Sequence, residues 1–301
     1  GFLAMNIGKR SLGLDIKSEK GKEILFALIK KSDVILHNFR AGVVDRLGLD
    51  YDSVRAINPS IVYTVISGFG AKGPRSADPA YDGAVQAAAG MMANNGTAES
   101  GPLRTGYMPV DLMTGMTAAY ATTAALLRKQ KTGKGQMVDV AMLDCAITLG
   151  SANFSRSEVD DIPDMLIGNQ SITSAPTASS FPTAEGAILT AAIMPNHVEA
   201  FFDEIGLKEM LNDPKFATRE ARIENKEIVR DAMIEALKSD TAENWEKRLA
   251  PRGVPVAKIN SVKETARLEQ LQYRNILTAV PAAKGMANGY RLPGAPFTNS
   301  E

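Results

Sequence analysis

Ile61-Val62-Tyr63-Thr64-Val65-Ile66 places five β-branched residues and one aromatic in six consecutive positions. A run this apolar, without polar alternation, suits a strand covered on both faces. Upstream, Asp33-Val34-Ile35-Leu36 is a shorter apolar run, expected to be a second buried strand. Before it, Ile24, Leu25, Leu28 and Ile29 recur at helical spacing over 21–31. Between the two runs, short helices are expected over 42–47 and 52–57, the latter closed by Asn58-Pro59. Helix, strand, helix, strand in this order needs crossover connections. The fold class is therefore α/β, with a parallel sheet and helices on its faces.

A Gly/Pro-rich loop over 68–79 follows the second strand directly. Open α/β sheets gather ligand sites at the carboxyl ends of their strands, so the position is suggestive. Small apolar residues over 83–92 predict a packed helix. A long helix rich in Ala and Thr is expected over 113–131, stopped by Lys131-Thr132-Gly133-Lys134-Gly135. A strand over 136–140 and a helix carrying Cys145 follow. The stretch from Phe154 to Ser180 is rich in Ser, Thr and Pro and reads as a solvated linker; a polar acid pocket over 169–180 is the alternative. A different unit comes next, with strands over 187–193 and 254–259. Its helices are expected over 198–205, 223–238 and 242–249. Trp245 and Leu249 are expected to hold it together.

Composition removes several function classes. The 34 Lys+Arg balance the 34 Asp+Glu, so no global basic field invites nucleic acid. Cys145 stands alone, which excludes an intrachain disulfide, fits a reducing compartment and suggests a cytoplasmic protein. Its apolar flanks mark it as core rather than nucleophile. With only His37 and His197, neither a zinc centre nor a Ser-His-Asp hydrolase is favoured. No apolar run is long enough to span a bilayer, and no signal peptide opens the sequence.

Three segments could carry chemistry: Asn38-Phe39-Arg40-Ala41-Gly42 after the first strand, Tyr81-Asp82 after the Gly/Pro loop, and Val110-Asp111-Leu112-Met113-Thr114-Gly115 at the start of the long helix. Each has a bland reading. Asp111 and Asp82 could be helix caps, Asn38 a turn residue, and Arg40 and Arg46 solvated charges.

Their ordered combination is specific. Gly8-Lys9-Arg10-Ser11-Leu12-Gly13-Leu14-Asp15 precedes the Asn38 segment, and Asp45-Arg46-Leu47-Gly48-Leu49 and Asn58-Pro59 follow it. Ser67-Gly68-Phe69-Gly70 with Gly73-Pro74, Tyr81-Asp82 with Gln86, the Asp111 segment and Thr132-Gly133-Lys134-Gly135-Gln136 come next. The series continues through Gly168-Asn169, Phe181-Pro182-Thr183-Ala184-Glu185-Gly186, Asp213-Pro214-Lys215-Phe216 and Trp245 to Gly253-Val254-Pro255. It resembles the family III CoA-transferases, which include formyl-CoA and carnitine CoA-transferases and α-methylacyl-CoA racemase.

The resemblance implies a Rossmann-like large domain over 1–155, a linker over 156–180, a smaller α+β domain over 181–260 and a return segment over 261–301. It implies an interlocked homodimer that takes coenzyme A as acyl-CoA substrate, a carboxylic acid as second substrate, and no metal. Neither nucleic acid nor a membrane is an expected partner. Both ends of the chain read as cut relative to the family. Asp111 matches the family's catalytic aspartate. Tyr81 and Asp82 match the pair beside the thioester, with Gly68, Phe69 and Gly70 lining the site. Leu14, Lys17, Asn38, Phe39, Val43, Arg46 and Leu47 match the CoA-binding stretches. Backbone N–H groups at 68–70 or at the start of the long helix would stabilise oxyanions. Pro79 stands where the family's formyl-CoA transferases have a basic residue, so that residue's contact with CoA is not carried over. The family's racemases carry His-Asp where this chain has Tyr81-Asp82, and tyrosine, with an unperturbed pKa of about 10, is a poor base near neutrality. CoA transfer is thus the expected activity. Racemisation is the alternative, and a non-catalytic CoA-binding or dimerising remnant is another. The acyl donor and acceptor are not legible.

Overall fold

A computed structural model describes residues 2–282 and 288–298. The chain divides into two compact units, one formed by Leu12–Gly168 and the other by the described residues of Gly1–Ser11 and Asn169–Glu301. No helix among the described residues is long and apolar enough to cross a membrane.

In the first unit, α1 (Glu19–Lys31) starts at Ser18, whose hydroxyl accepts the Gly21 N–H at 3.0 Å. Strand β1 (Val34–His37) and the short helices α2 (Val43–Leu47) and α3 (Tyr51–Ile57) follow. Strand β2 (Val62–Ser67) sits at the centre of a three-stranded parallel sheet, between β1 and β3 (Gln136–Ala141). Asn58 pins this layer. Its buried amide donates to the carbonyls of Ile29 and Ser32, each at 2.9 Å, tying the end of α1 to the entry of β2.

The central position explains the burial of β2, where Val62, Tyr63, Thr64 and Val65 are all covered. It also corrects the expectation for β1. That strand lies at the edge of the described sheet, and Leu36 is 52% exposed. An apolar run sets strand propensity; burial comes from the neighbours on either side.

Helix α4 (Asp82–Ala88) leads through a loop to α5 (Pro109–Thr132). The latter begins four residues before its expected start, because Pro109 is preset for a first helical turn. Val110, Thr114, Ala118 and Ala125 make its buried face, and Thr122 bonds the hydroxyl of Thr64 on β2 at 2.7 Å. Leu112, Met116, Tyr120 and Leu127 lie on the exposed side. Helix α6 (Met142–Leu149) follows β3 directly and buries Cys145, and α7 (Ser151–Glu158) carries helix into a stretch expected to be irregular.

In the second unit, β4 (Ser180–Pro182), β5 (Ala187–Thr190) and β6 (Val256–Lys258) form an antiparallel sheet. Around it lie α8 (Pro195–Glu204), α9 (Pro214–Ala217), α10 (Arg219–Glu224), α11 (Lys226–Leu237) and α12 (Ala242–Leu249). The single helix expected over 223–238 is divided at Asn225, where α10 ends and α11 begins. Trp245 and Leu249 belong to one core cluster with Phe181, Phe201, Phe202 and Met233. Residues 175–179 are not a solvated stretch. Thr177 and Ser179 are buried, with the Thr177 hydroxyl donating to the Ala192 carbonyl and the Ser179 hydroxyl accepting from Arg230.

Candidate active site

The carboxyl end of β2 opens onto a cavity of about 490 Å³. Three segments distant in sequence meet there: Asn38 to Ala41 after β1, Ser67 and Gly68 at the end of β2, and Asp111, Thr114 and Gly115 on α5. Tyr81 lines one side and is 80% exposed. Gly68 is required by packing, because a Cβ on it would stand 2.2 Å from the Ala80 Cβ. Its carbonyl accepts the Leu143 N–H at 3.0 Å, fastening the loop to α6. Gly70, at φ +96°, turns the chain away, and its N–H donates to the Ser67 hydroxyl at 3.0 Å.

Asp111 is the third residue of α5, past the cap position held by Met108. It is exposed at the cavity, and among the described residues its carboxylate accepts no hydrogen bond. The cap reading of this residue therefore does not hold. Asp82 performs that task from another helix. Its Oδ2 accepts the N–H groups of Val110 at 2.9 Å and Asp111 at 3.0 Å. Asp82 is itself buried, and its Oδ1 accepts from the Gln86 amide. Gln86 in turn donates to the Thr105 hydroxyl at 3.1 Å and accepts the Thr105 N–H at 3.0 Å. The Thr105 hydroxyl then holds the Tyr107 carbonyl at 2.9 Å. The loop entering α5 is thus fixed by a chain of bonds that starts on α4.

This arrangement sets the electrostatics. Partial burial, and then the nearby Asp82 charge, raise the Asp111 carboxyl above its ordinary value. The expectation that the helix start would bind an oxyanion fails at three positions. The N–H groups of residues 110 and 111 go to Asp82, and that of Leu112 goes to the Met108 carbonyl.

Phe39 is oriented by a second chain of bonds. Tyr63 donates its hydroxyl proton to the Leu49 carbonyl at 2.7 Å, so it accepts from His37 Nε2 at 2.8 Å. His37 Nδ1 is then the acceptor for the Phe39 N–H at 3.2 Å. Burial lowers the His37 pKa, in keeping with this neutral tautomer, and burial followed by Asp50 and Asp45 raises Tyr63 to about 12.

Of the residues singled out from sequence, Asp111, Tyr81, Gly68, Asn38 and Phe39 line this one cavity. Gly70 borders a smaller cavity of about 210 Å³, which also includes Phe39 and Arg40. Phe69 lies under the Arg75 guanidinium, 3.8 Å from its ring centre. Val43 and Leu47 are half-buried on α2, and Arg46 is exposed there. Leu14 and Lys17 sit in the turn before α1, outside the cavity lining. Arg40, Thr114 and Gly115, which fall within the segments singled out but were given no role, also line the cavity, as does Met142, which was not singled out. Met142 gave no signal, because it arrives from the far end of β3.

The sequence model of the family described as CoA-transferase family III matches residues 1–301. The acetyl-CoA:oxalate CoA-transferase of Acetobacter aceti is 33% identical over 297 residues, spanning 98% of this chain and 74% of that protein. The formyl-CoA:oxalate CoA-transferase of Streptomyces coelicolor is 34% identical over 298 residues, spanning 93% of this chain and 72% of its own. Among solved structures, a CAIB/BAIF family protein from Brucella suis matches with a TM-score of 0.88 at 29% identity, over 100% of this chain and 77% of that one.

Proposed function

The chain belongs to CoA-transferase family III, and from that premise we propose that Asp111 is the covalent carrier in transfer of CoA from an acyl-CoA to a free carboxylate. It is an enzyme of that family, with CoA esters as its substrates. One observation carries the role of Asp111. Its carboxylate faces the cavity without a structural bond, while Asp82 does the capping its position would otherwise require.

The steps balance as follows. The Asp111 carboxylate attacks the thioester carbonyl and expels CoA thiolate, leaving a mixed anhydride. The thiolate then attacks the aspartyl carbonyl and releases the donor acid, leaving an aspartyl-CoA thioester. An acceptor carboxylate attacks that thioester and again expels thiolate. Thiolate attack on the acceptor acyl carbon forms the new CoA ester and restores Asp111. A carboxylate is a weak nucleophile in water, so the cavity acts by holding the reacting atoms together. The Phe69 N–H has no acceptor among the described residues and is the backbone donor we assign to the oxyanion. Arg40 supplies positive charge at the same cavity.

Racemisation is disfavoured, because both named relatives are CoA-transferases and this chain has Tyr81 where the family's racemases carry histidine. A homodimer remains part of the proposal. The exposed stripe of Leu112, Met116, Tyr120 and Leu127 on α5 is a surface for a second copy. The protein is incubated with an acyl-CoA, quenched, and treated with hydroxylamine. A hydroxamate on the peptide bearing Asp111 supports the mechanism; turnover retained in Asp111→Ala sinks it. Oxalate, in the names of both relatives, heads the acceptor panel.

A further inference from the structure

In the second unit, Arg222 on α10 is 7% exposed. Its Nη1 donates to the carbonyls of Phe216 at 2.7 Å and Ala217 at 3.0 Å, closing the last turn of α9. Among the described residues no carboxylate forms an ion pair with it, and the edge carrying Nε and Nη2 donates to nothing. Burial lowers the guanidinium's pKa, with Glu220 acting the other way through space. Arginine nevertheless keeps its charge. Nε and Nη2 are not among the buried unpartnered atoms of the described residues, so this edge keeps contact with solvent and is free to meet a ligand.

The residue borders a cavity of about 260 Å³, lined also by Lys208, Asn212 and Glu199 against the apolar side chains of Val198 and Leu211. Capping α9 accounts for Nη1 and leaves the Nε–Nη2 edge unexplained. We propose that this cavity binds a small carboxylate seated on the Nε–Nη2 edge of Arg222.

Three features select that class. The free edge is a planar fork matched to two carboxylate oxygens. Glu199 shares the lining with Arg222 and Lys208, and Lys208 is already paired with Asp203, so the net positive charge is small and suits a monoanion better than a phosphate dianion. Lys208 also reaches Asp203 at 3.2 Å, so Arg222 is the anchor and Lys208 an auxiliary. The volume admits an acid of a few carbons beside the apolar wall and excludes a CoA ester. The residues are all different from those around Asp111.

The test follows the Arg222 Nε–Hε signal of the full ¹⁵N-labelled chain by NMR during titration with sodium acetate. Acetamide, of the same shape and uncharged, and sodium chloride at matched ionic strength are the controls. The expected result is a saturable shift with acetate alone. Arg222→Lys keeps a cation for the α9 carbonyls but loses the fork, and should raise half-saturating acetate, read in both proteins from the backbone amides of α9 and α10, by about tenfold. A non-saturating response, an equal response to acetamide or chloride, or undiminished acetate binding by Arg222→Lys overturns the proposal. The signal is assigned through the backbone of the native chain, so the native titration decides the matter even if the variant fails to fold.

Discussion

The two units bury their interiors by different means. Beyond Asn169, one continuous cluster includes Phe181, Phe201, Phe202, Met233, Leu237, Trp245 and Leu249. The Trp245 indole within it donates to the Leu237 carbonyl at 2.9 Å, and the same unit also buries Thr177, Ser179, Thr190 and Arg222. Between Leu12 and Gly168 the interior is split into three smaller clusters. Asn58, Thr64, Asp82, Gln86 and Thr114 are buried among them, and hydrogen bonds do much of the holding. A region that keeps an open cavity for charged reactants cannot fill its centre with large side chains. It gains rigidity from satisfied polar networks instead, which specify position more narrowly than apolar contact does.

The contrast can be broken most directly at Asp111. Asp111→Ala should lower CoA-transfer turnover by on the order of 10⁴-fold, with CoA binding by calorimetry and the circular dichroism spectrum preserved. Trp245→Ala should do the reverse. It opens the second unit's core at a cost of about 3–5 kcal/mol, read by urea unfolding. Retained stability in that variant would show that the cluster is not the main support of its unit. Asp82→Ala tests whether the first unit depends on polar bonds, since it strands two helix N–H groups. Destabilisation of about 1–3 kcal/mol is expected, together with slower turnover. Asp82→Asn keeps an acceptor oxygen and removes the charge. In the proposed mechanism turnover needs ionised Asp111 and falls as pH drops through its raised pKa, so this variant should move the acid limb of the rate profile to lower pH.

The smallest effect concerns stability alone. Asp111 has a folded-state pKa above its unfolded value, so its ionisation opposes folding. The opposition is absent below the ordinary carboxylate value, grows as pH rises through the interval, and is complete above the raised value. Asp111→Asn should therefore raise Tm slightly at pH 7 and lose that gain in acid, as differential scanning calorimetry can check. A Tm that falls at neutral pH would contradict the electrostatic account.

Local signals served best where one segment decides its own structure. The β-branched run from Ile61 to Ile66 became the central strand, and Trp245 and Leu249 became core. Edge exposure of β1 was hidden, because burial depends on neighbours rather than on the run itself. The cavity brings together residues whose ordered segments were legible, yet its support was not. Asp82 reaches Val110 and Asp111 across a loop, and Gln86 reaches Thr105, pairings no periodicity reports. Asp111 looked like a cap for the same reason: sequence shows an acid near a helix start and cannot show that another acid already holds the amides.

That substitution of one acid for another bears on reactivity. A helix start carries a partial positive charge that ordinarily makes a nearby carboxylate more acidic and less basic. Here Asp82 occupies the amides and brings its own negative charge close to Asp111. The positive pole is thereby shielded from the second carboxylate, which keeps more of its electron-donating character than a residue in the first turn of a helix would otherwise have. Basicity and nucleophilic strength rise together for oxygen anions of one type, so in the proposed mechanism a buried capping residue on α4 governs how strongly Asp111 can attack without touching the substrate itself.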